Sequence, residues 1–332
     1  MTRILSGIQP TGEIHLGNYL GALRHWVSRQ GDAECLFLIA DLHAITTPQD
    51  PGELRKRTWE TATLLLSLGI DPKRSILFIQ SQVGSHAELA WVLSCLTRVG
   101  ELRRMVQFKD QESRRDEAGA TAGLFTYPVM QAADILLYQA DSVPVGEDQI
   151  QHLELARDLA LRFNNRFSVT FTVPEPLIAP MGARIMDLQN PHKKMSKSSD
   201  SPLGTIRLID RPEEIQAKIQ SAVTDSGYEI RISIDKPAIS NLLEIYSIVG
   251  GVDIRDTEEM FAGKTYVQFK KALAGRLVEY LRPIRERYEQ IGADRDVMDR
   301  ILTKGSGKAR AKAAQTLASV YDHLGFVRSR PI

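Results

Sequence analysis

The chain has 332 residues, a formal net charge of +1, 43% hydrophobic and 25% charged residues. That is ordinary globular composition, with ample material for a core and more length than one typical domain needs. No window reaches the roughly 18 apolar residues of a membrane span and "MTRILSGIQPTG" has no apolar h-region, so a cytoplasmic protein without span or signal peptide is expected. Cys35 and Cys95 sit in apolar runs without C-x-x-C spacing, which predicts buried free thiols and excludes cysteine-ligated metal.

In chain order, "RILSGI" reads as a strand that leads through a loop to a helix starting near Gly17 and Asn18, with Leu20, Leu23 and Val27 on one face. "ECLFLIAD" follows, then a long helix through "ELRKRTWETATLLLSL", then "SILFIQS". This alternation predicts an α/β fold with a parallel sheet and right-handed crossovers that place helices on both faces. Ligands of such sheets bind at the carboxyl ends of the strands, so chemistry is expected in the loops "SGIQPTGEIHLGN", "ADLHAITT" and "QSQVGSH". "HAELAWVLSCLTRVGEL" is apolar enough for a dimer face or an internal helix. After "TYPVMQAADILLY", the stretch "SVPVG" reads as a further strand ending at Gly146, before a helix from about Glu147 to Phe163. Beyond Asp200 strand signals thin out: "DRPEEIQAKIQSAV", "SNLLEIYSIV" with a Ser cap, and "YVQFKKALAGRLVEYLRPIRERYEQI" predict a helical second part.

The near-zero charge hides a gradient. From Lys264 onward fifteen Lys/Arg stand against seven Asp/Glu, an excess of +8. Such a basic third suits a nucleic-acid face, and the Arg/Glu mixing of "RPIRERYEQ" equally suits a salt-bridged helix surface.

Two stretches carry the chemistry. In "PTGEIHLGN" the unpaired N–H groups and positive dipole end of the first helix point at a loop where Gly12 and Gly17 permit close approach and His15 and Asn18 can donate to phosphate oxygens. The pattern is neither G-x-G-x-x-G nor a P-loop, which disfavours a dehydrogenase or P-loop NTPase. In "PHKKMSKSSD", Lys194 and Lys197 flank Met195 and Ser196 in a loop, either a solvated basic run or a site that an anion regularly visits.

Taken together, "HLGN" and "KMSKS", with "GIQPTG", "TYPVMQAADIL" and "VPVGEDQIQHLELARDLA" in order between them, resemble the signatures of the class I aminoacyl-tRNA synthetases, and of their bacterial tryptophanyl family in particular. The resemblance covers the whole chain. It implies a Rossmann-like parallel-sheet nucleotide-binding domain at 1–186, a KMSKS loop and smaller all-helical tRNA anticodon-binding domain at 187–291, and C-terminal helices at 292–332 packed back on the first. It implies ATP as substrate with Mg2+, L-tryptophan and tRNA(Trp) as partners, a homodimer, and no protein-bound metal. Lys194, Lys197, His15 and Asn18 would act in catalysis. Gln9, Pro10, Thr11, Gly17 and Asn18 would line the ATP site, with Gly146, Glu147 and Asp148 at the ribose and adenosine, Ile185 at the adenine, and Lys194, Met195, Ser196, Lys197 and Ser198 at the triphosphate. Tryptophan would meet Asp134 through its indole N–H, with Gln9, Tyr127, Gln131, His43, Val143, Val145 and Gln149 around it.

The residues make the Asp134 role physically sensible. An acid between "AA" and "ILL" on an apolar helix is costly to bury unless something donates to it, either an indole N–H or a nearby backbone group. Gln131 stands where many relatives carry Met and tyrosyl enzymes carry Gln, which keeps a tyrosyl-tRNA synthetase open as an alternative, beside a paralogue without tRNA charging. Gln111 replaces a frequent second lysine after Lys109, and no folded editing domain fits between Gln80 and Tyr127.

Overall fold

The computed structural model describes residues 2–105, 121–146, 149–178, 184–196 and 201–327. Among them lies one five-stranded parallel sheet: β1 (Arg3–Ile8), β2 (Glu34–Ile39), β3 (Ile76–Ile79), β4 (Ser142–Val145) and β5 (Glu175–Ile178), in the order β3-β2-β1-β4-β5. β1 and β2 pair from Arg3↔Glu34 to Ile8↔Ile39. The strands are apolar on both faces, and their alternation splits the core in two. Ile4, Cys35, Phe37, Ile39, Leu77 and Ile79 point to one side and Leu5, Leu36, Leu38, Ile76 and Phe78 to the other. Burying each such side chain contributes about 1.5–3 kcal/mol.

The first face is covered by α1 (Leu16–Asn18), a π-helical turn (Tyr19–Leu23), α2 (Arg24–Arg29) and α4 (Pro51–Ser67), and continues into the helices α9 (Pro212–Ser221), α10 (Pro237–Gly250), α11 (Ile254–Phe261) and α12 (Tyr266–Gly292). α3 (Asp41–Ala44) is a single turn after β2. The second face carries α5 (Ser85–Ser94), α6 (Val99–Arg103), α7 (Ala122–Leu137) and α8 (Ile150–Arg166). The last helix, α13 (Arg295–Leu324), crosses the β3 edge: Met298 and Leu302 join the first core, Ala309, Ala313, Leu317 and Val320 the second. At the crossing a Cβ on Gly305 would come 1.8 Å from the Leu77 carbonyl oxygen, so only glycine lets the helix cover that edge.

Several expectations are corrected. β5 went unread because "EPLI" offers only two apolar residues in a row after its charge and Pro176; a strand tolerates that proline at a sheet edge, and β5 is an edge. α10 begins at Pro237, so Ser240 lies inside it; the Asp225 carboxylate, far upstream, accepts from the Ala238 and Ile239 N–H groups. α8 is helical from Ile150 to Arg166, later than the expected start; Glu147 and Asp148 lie outside the described residues. Cys35 is buried as expected, but Cys95 is exposed beyond the end of α5. In "HAELAWVLSCLTRVGEL" the helix divides its faces, with Leu89, Val92 and Leu93 buried and Trp91 72% exposed. Among the described residues no helix is long and apolar enough to cross a membrane.

Candidate active site

The chain leaves β1 toward β2 and β3 on one side and returns to β4 and β5 on the other, so the strand order reverses between β1 and β4. In open parallel sheets ligands bind at such a reversal, outside the carboxyl ends of the strands. Gly7, in β1, is exposed although Ile4 to Ser6 beside it are buried, marking where the sheet is left uncovered. Gln9 is exposed, Pro10 buried and Thr11 half-buried at this end of β1; Val143 is buried, Val145 half-buried and Gly146 exposed at the end of β4. Gly12 takes φ +64, the left-handed region that glycine enters freely, and turns the chain toward α1.

The His15 loop is locked by a reciprocal cap. His15 Nδ1 accepts from the Asn18 N–H and Asn18 Oδ1 accepts from the His15 N–H, both at 3.3 Å. In the neutral ring this assigns the proton to Nε2, and it orients the Asn18 amide so that its NH2 remains a donor. Not all the expected first-turn N–H groups are unpaired: that of Leu16 donates to the Ile206 carbonyl at 2.8 Å and that of Asn18 to His15. Donors for an anion are therefore side chains as much as backbone.

The Ile206 bond joins sequence-distant parts. Leu208 N–H donates to the Ile14 carbonyl, so 14–16 and 206–208 run antiparallel. Residues 185–187 pair likewise with 193–195: Met195 N–H donates to Ile185 at 3.0 Å and Asp187 N–H to Lys193 at 2.9 Å. Ile185 lies 3.6 Å from a Cβ built on Gly17, which therefore sits between His15 and Ile185. Met195 is 2% exposed in the first core, while Lys194 and Ser196 beside it are exposed. The methionine between the charges is the anchor of its loop. Lys197 and Ser198, like Lys109 and Gln111, lie outside the described residues.

Asp134, 3% exposed on α7, gathers side chains from three other parts of the chain. Its Oδ2 meets His43 Nε2 at 2.7 Å; its Oδ1 accepts from Gln80 Nε2 at 2.7 Å and meets His86 Nδ1 at 2.6 Å. Burial alone would push this carboxyl up; His43 and His86 outweigh it and hold it at about 2, so it is ionised at neutral pH. The backbone partner considered for it from sequence is replaced by these side chains. Gln131 donates to Gln149 Oε1 at 3.3 Å, and Gln149 Oε1 meets His152 Nδ1, whose Nε2 meets the Tyr127 hydroxyl at 2.9 Å. Burial pushes the Tyr127 phenol up to about 12, keeping its proton. Tyr127 and His43 rings face edge-on at 6.4 Å.

Gln80 and His86 were missed as individual site residues. Both fall in the strand-end loop "QSQVGSH" marked for chemistry, but a Gln and a His without a spacing motif gave no signal that they turn toward a residue some fifty positions away.

Residues 1–282 match the family of tRNA synthetases class I (W and Y). The chain is 53% identical over 330 residues to a protein of Streptomyces avermitilis named tryptophan–tRNA ligase 2, covering 99% of this chain and 98% of that one. Its structure is similar to the tryptophanyl-tRNA synthetase of Mycoplasma pneumoniae, with a TM-score of 0.88 at 38% identity and 98% of each chain covered. It is similar also to that of Campylobacter jejuni complexed with ADP and tryptophan, with a TM-score of 0.86 at 34% identity, covering 98% of this chain and 100% of that one. With the His15–Asn18 loop after β1 packed against Ile185, whose segment pairs with the one ending in Lys194 and Met195, and full-length likeness on both counts, the chain belongs to the class I tRNA synthetases of the W and Y family.

Proposed function

We infer that the chain activates L-tryptophan with ATP and transfers it to tRNA(Trp). In the first step a tryptophan carboxylate oxygen bonds to the α-phosphorus of ATP while the bond from that phosphorus to the bridging oxygen of pyrophosphate breaks. In the second, a terminal ribose hydroxyl of the tRNA attacks the adenylate carbonyl, and AMP leaves. No protein nucleophile is needed, so the work is positioning and charge stabilisation.

The observation that carries the amino-acid choice is Asp134. An ionised carboxylate has about four acceptor positions, and Gln80, His86 and His43 fill three. The fourth, on Oδ2, suits one donor, the indole N–H. Tyr127, Gln131, His43, Val143, Val145, Gln149 and Gln9 would surround the ring and amino-acid end. Full-length identity to a tryptophan–tRNA ligase supports tryptophan over tyrosine despite Gln131.

On the nucleotide side, Gln9, Pro10, Thr11, His15, Gly17 and Asn18 would line the ATP, Gly146, Glu147 and Asp148 its ribose and adenosine, and Ile185 its adenine. Lys194, anchored through Met195, would act with Ser196, Lys197 and Ser198 as pyrophosphate departs. Mg2+ would arrive with the triphosphate as part of the substrate.

We further propose a nucleotide-binding unit at 1–186, a helical tRNA-reading unit at 187–291 and a C-terminal segment, 292–332, lying back on the sheet, which the packing of α13 on β3 supports. Exposed Trp91 and Val99 support a homodimer through α5 and α6. Cytoplasmic residence would follow from the work on tRNA. The test is amino-acid-dependent ATP–pyrophosphate exchange with tryptophan, tyrosine and phenylalanine: exchange with tryptophan is expected, and exchange with tyrosine instead overturns the assignment.

A further inference from the structure

We propose that His86 and Gln80 are positioning residues for amino-acid specificity: together they fill Asp134 Oδ1, so that the carboxylate turns one acceptor, on Oδ2, to the indole N–H of tryptophan. The inference rests on the tryptophan reading above and assigns the hydrogen-bonded network behind it.

His86 is 0% exposed in the first turn of α5. Its Nδ1 stands 2.6 Å from Asp134 Oδ1 and its Nε2 2.8 Å from the hydroxyl of Tyr138, which is 1% exposed and caps the C-terminus of α7 four residues after Asp134. An ionised carboxylate only accepts, so Nδ1 carries the proton there; in the neutral ring Nε2 must then accept from the phenol. Burial, with the Asp134 charge, pushes the Tyr138 phenol up, so it keeps the proton that it donates. With His86 in that neutral form the relay runs from Tyr138 to His86 to Asp134, and Phe78 packs on both rings. Gln80, also 0% exposed, is oriented in the same manner: its Oε1 accepts from the Leu42 N–H at 3.1 Å, which leaves Nε2 to donate to Asp134.

Acceptor directions lie near the plane of a carboxylate. Donors from the β3 end, α5 and α3 therefore fix that plane against three separate elements. Oδ1 is saturated and Oδ2 is half filled by His43, so a substrate meets a single acceptor of set direction. A ring without an N–H leaves that buried acceptor unpaired, which is how a polar site rejects an isostere that an apolar pocket would take.

The test is ATP–pyrophosphate exchange with L-tryptophan and with 3-benzothienyl-L-alanine, in which sulfur replaces the indole N–H. The unaltered chain is expected to prefer tryptophan about 100-fold in kcat/KM. His86→Leu should raise the tryptophan KM by about 10- to 100-fold, leave the ATP KM within about threefold, and shrink the preference to about tenfold. His86→Asn, whose amide NH2 can stand where Nδ1 stood, should recover most of the tryptophan KM. Tyr138→Phe, which keeps the ring packing and loses only the relay's proton, should raise the tryptophan KM by about three- to tenfold and cut the preference in proportion. If His86→Leu and Tyr138→Phe lower exchange equally for both amino acids, or leave the preference at its original value, the residues only fill the core and the proposal fails. Should His86→Leu not fold, Tyr138→Phe decides by the same ratio. Absence of tryptophan exchange in the unaltered chain would instead overturn the functional reading, and this inference with it.

Discussion

The two halves of the site are built by opposite means. Around Asp134 the contacts are side chain to side chain, deep inside, with His43, Gln80, His86 and Asp134 all under a tenth exposed. Around Lys194 they are backbone to backbone: 14–16 against 206–208, and 185–187 against 193–195, with the lysine itself exposed. The difference matches the two tasks proposed for these residues. Choosing an amino acid requires an acceptor whose direction is set before the substrate arrives, because any reorganisation would be subtracted from discrimination. Stabilising departing pyrophosphate requires charge that is realised in the transition state, so a solvated lysine on a firmly tethered base is the better arrangement.

Three substitutions sharpen that contrast. Asp134→Ala removes the proposed indole acceptor and strands His43 and His86 in the interior, so tryptophan kcat/KM should fall about 1000-fold while the ATP KM moves less than about threefold. Steady-state exchange kinetics in each substrate separate the two, and equal losses would break the comparison. Lys194→Ala should show the mirror image, with the single-turnover activation rate down about 100-fold and the tryptophan Kd unchanged; a loss confined to tryptophan Kd would remove the lysine from its role. Met195→Ala tests the tether. Losing a thioether that is 2% exposed should destabilise the protein by about 2–4 kcal/mol, read from urea unfolding, and lower the activation rate about tenfold with tryptophan binding intact.

How much of this was legible in sequence differs between the halves. "HLGN" and "KMSKS" are contiguous, so composition and order exposed both loops, and Met195 was placed even though its anchoring role was not. The strands β1 to β4 announced themselves as short apolar runs at βαβ spacing; β5 did not, because "EPLI" opens on a charge and a proline and leaves only two apolar residues in a row. Asp134 was legible as an acid misplaced in an apolar helix. Its partners were not, since which of seven histidines turns inward depends on how β3, α3 and α5 converge, and no local periodicity encodes that. The reciprocal cap of His15 and Asn18 was half visible: the pair was picked as phosphate donors, and only the geometry shows that each first serves the other's backbone.

The smallest effect concerns what holds the buried side together. Folding lowers the Asp134 pKa from 3.8 to about 2, because the attraction of His43 and His86 exceeds the burial that opposes it. A carboxyl depressed in the folded state stabilises it above the unfolded pKa and loses that contribution as pH falls through the folded one. The stabilisation, about 2 kcal/mol by linkage, should therefore be complete at pH 5 and about half gone by pH 3. Asp134→Asn has no charge to titrate there. The gap in urea stability between the unaltered chain and this variant should accordingly narrow between pH 5 and pH 3, by about 1 kcal/mol. A gap that stays constant would mean that the carboxyl gains nothing by folding, and that its histidines tolerate it rather than hold it in the charged form proposed to accept the indole N–H.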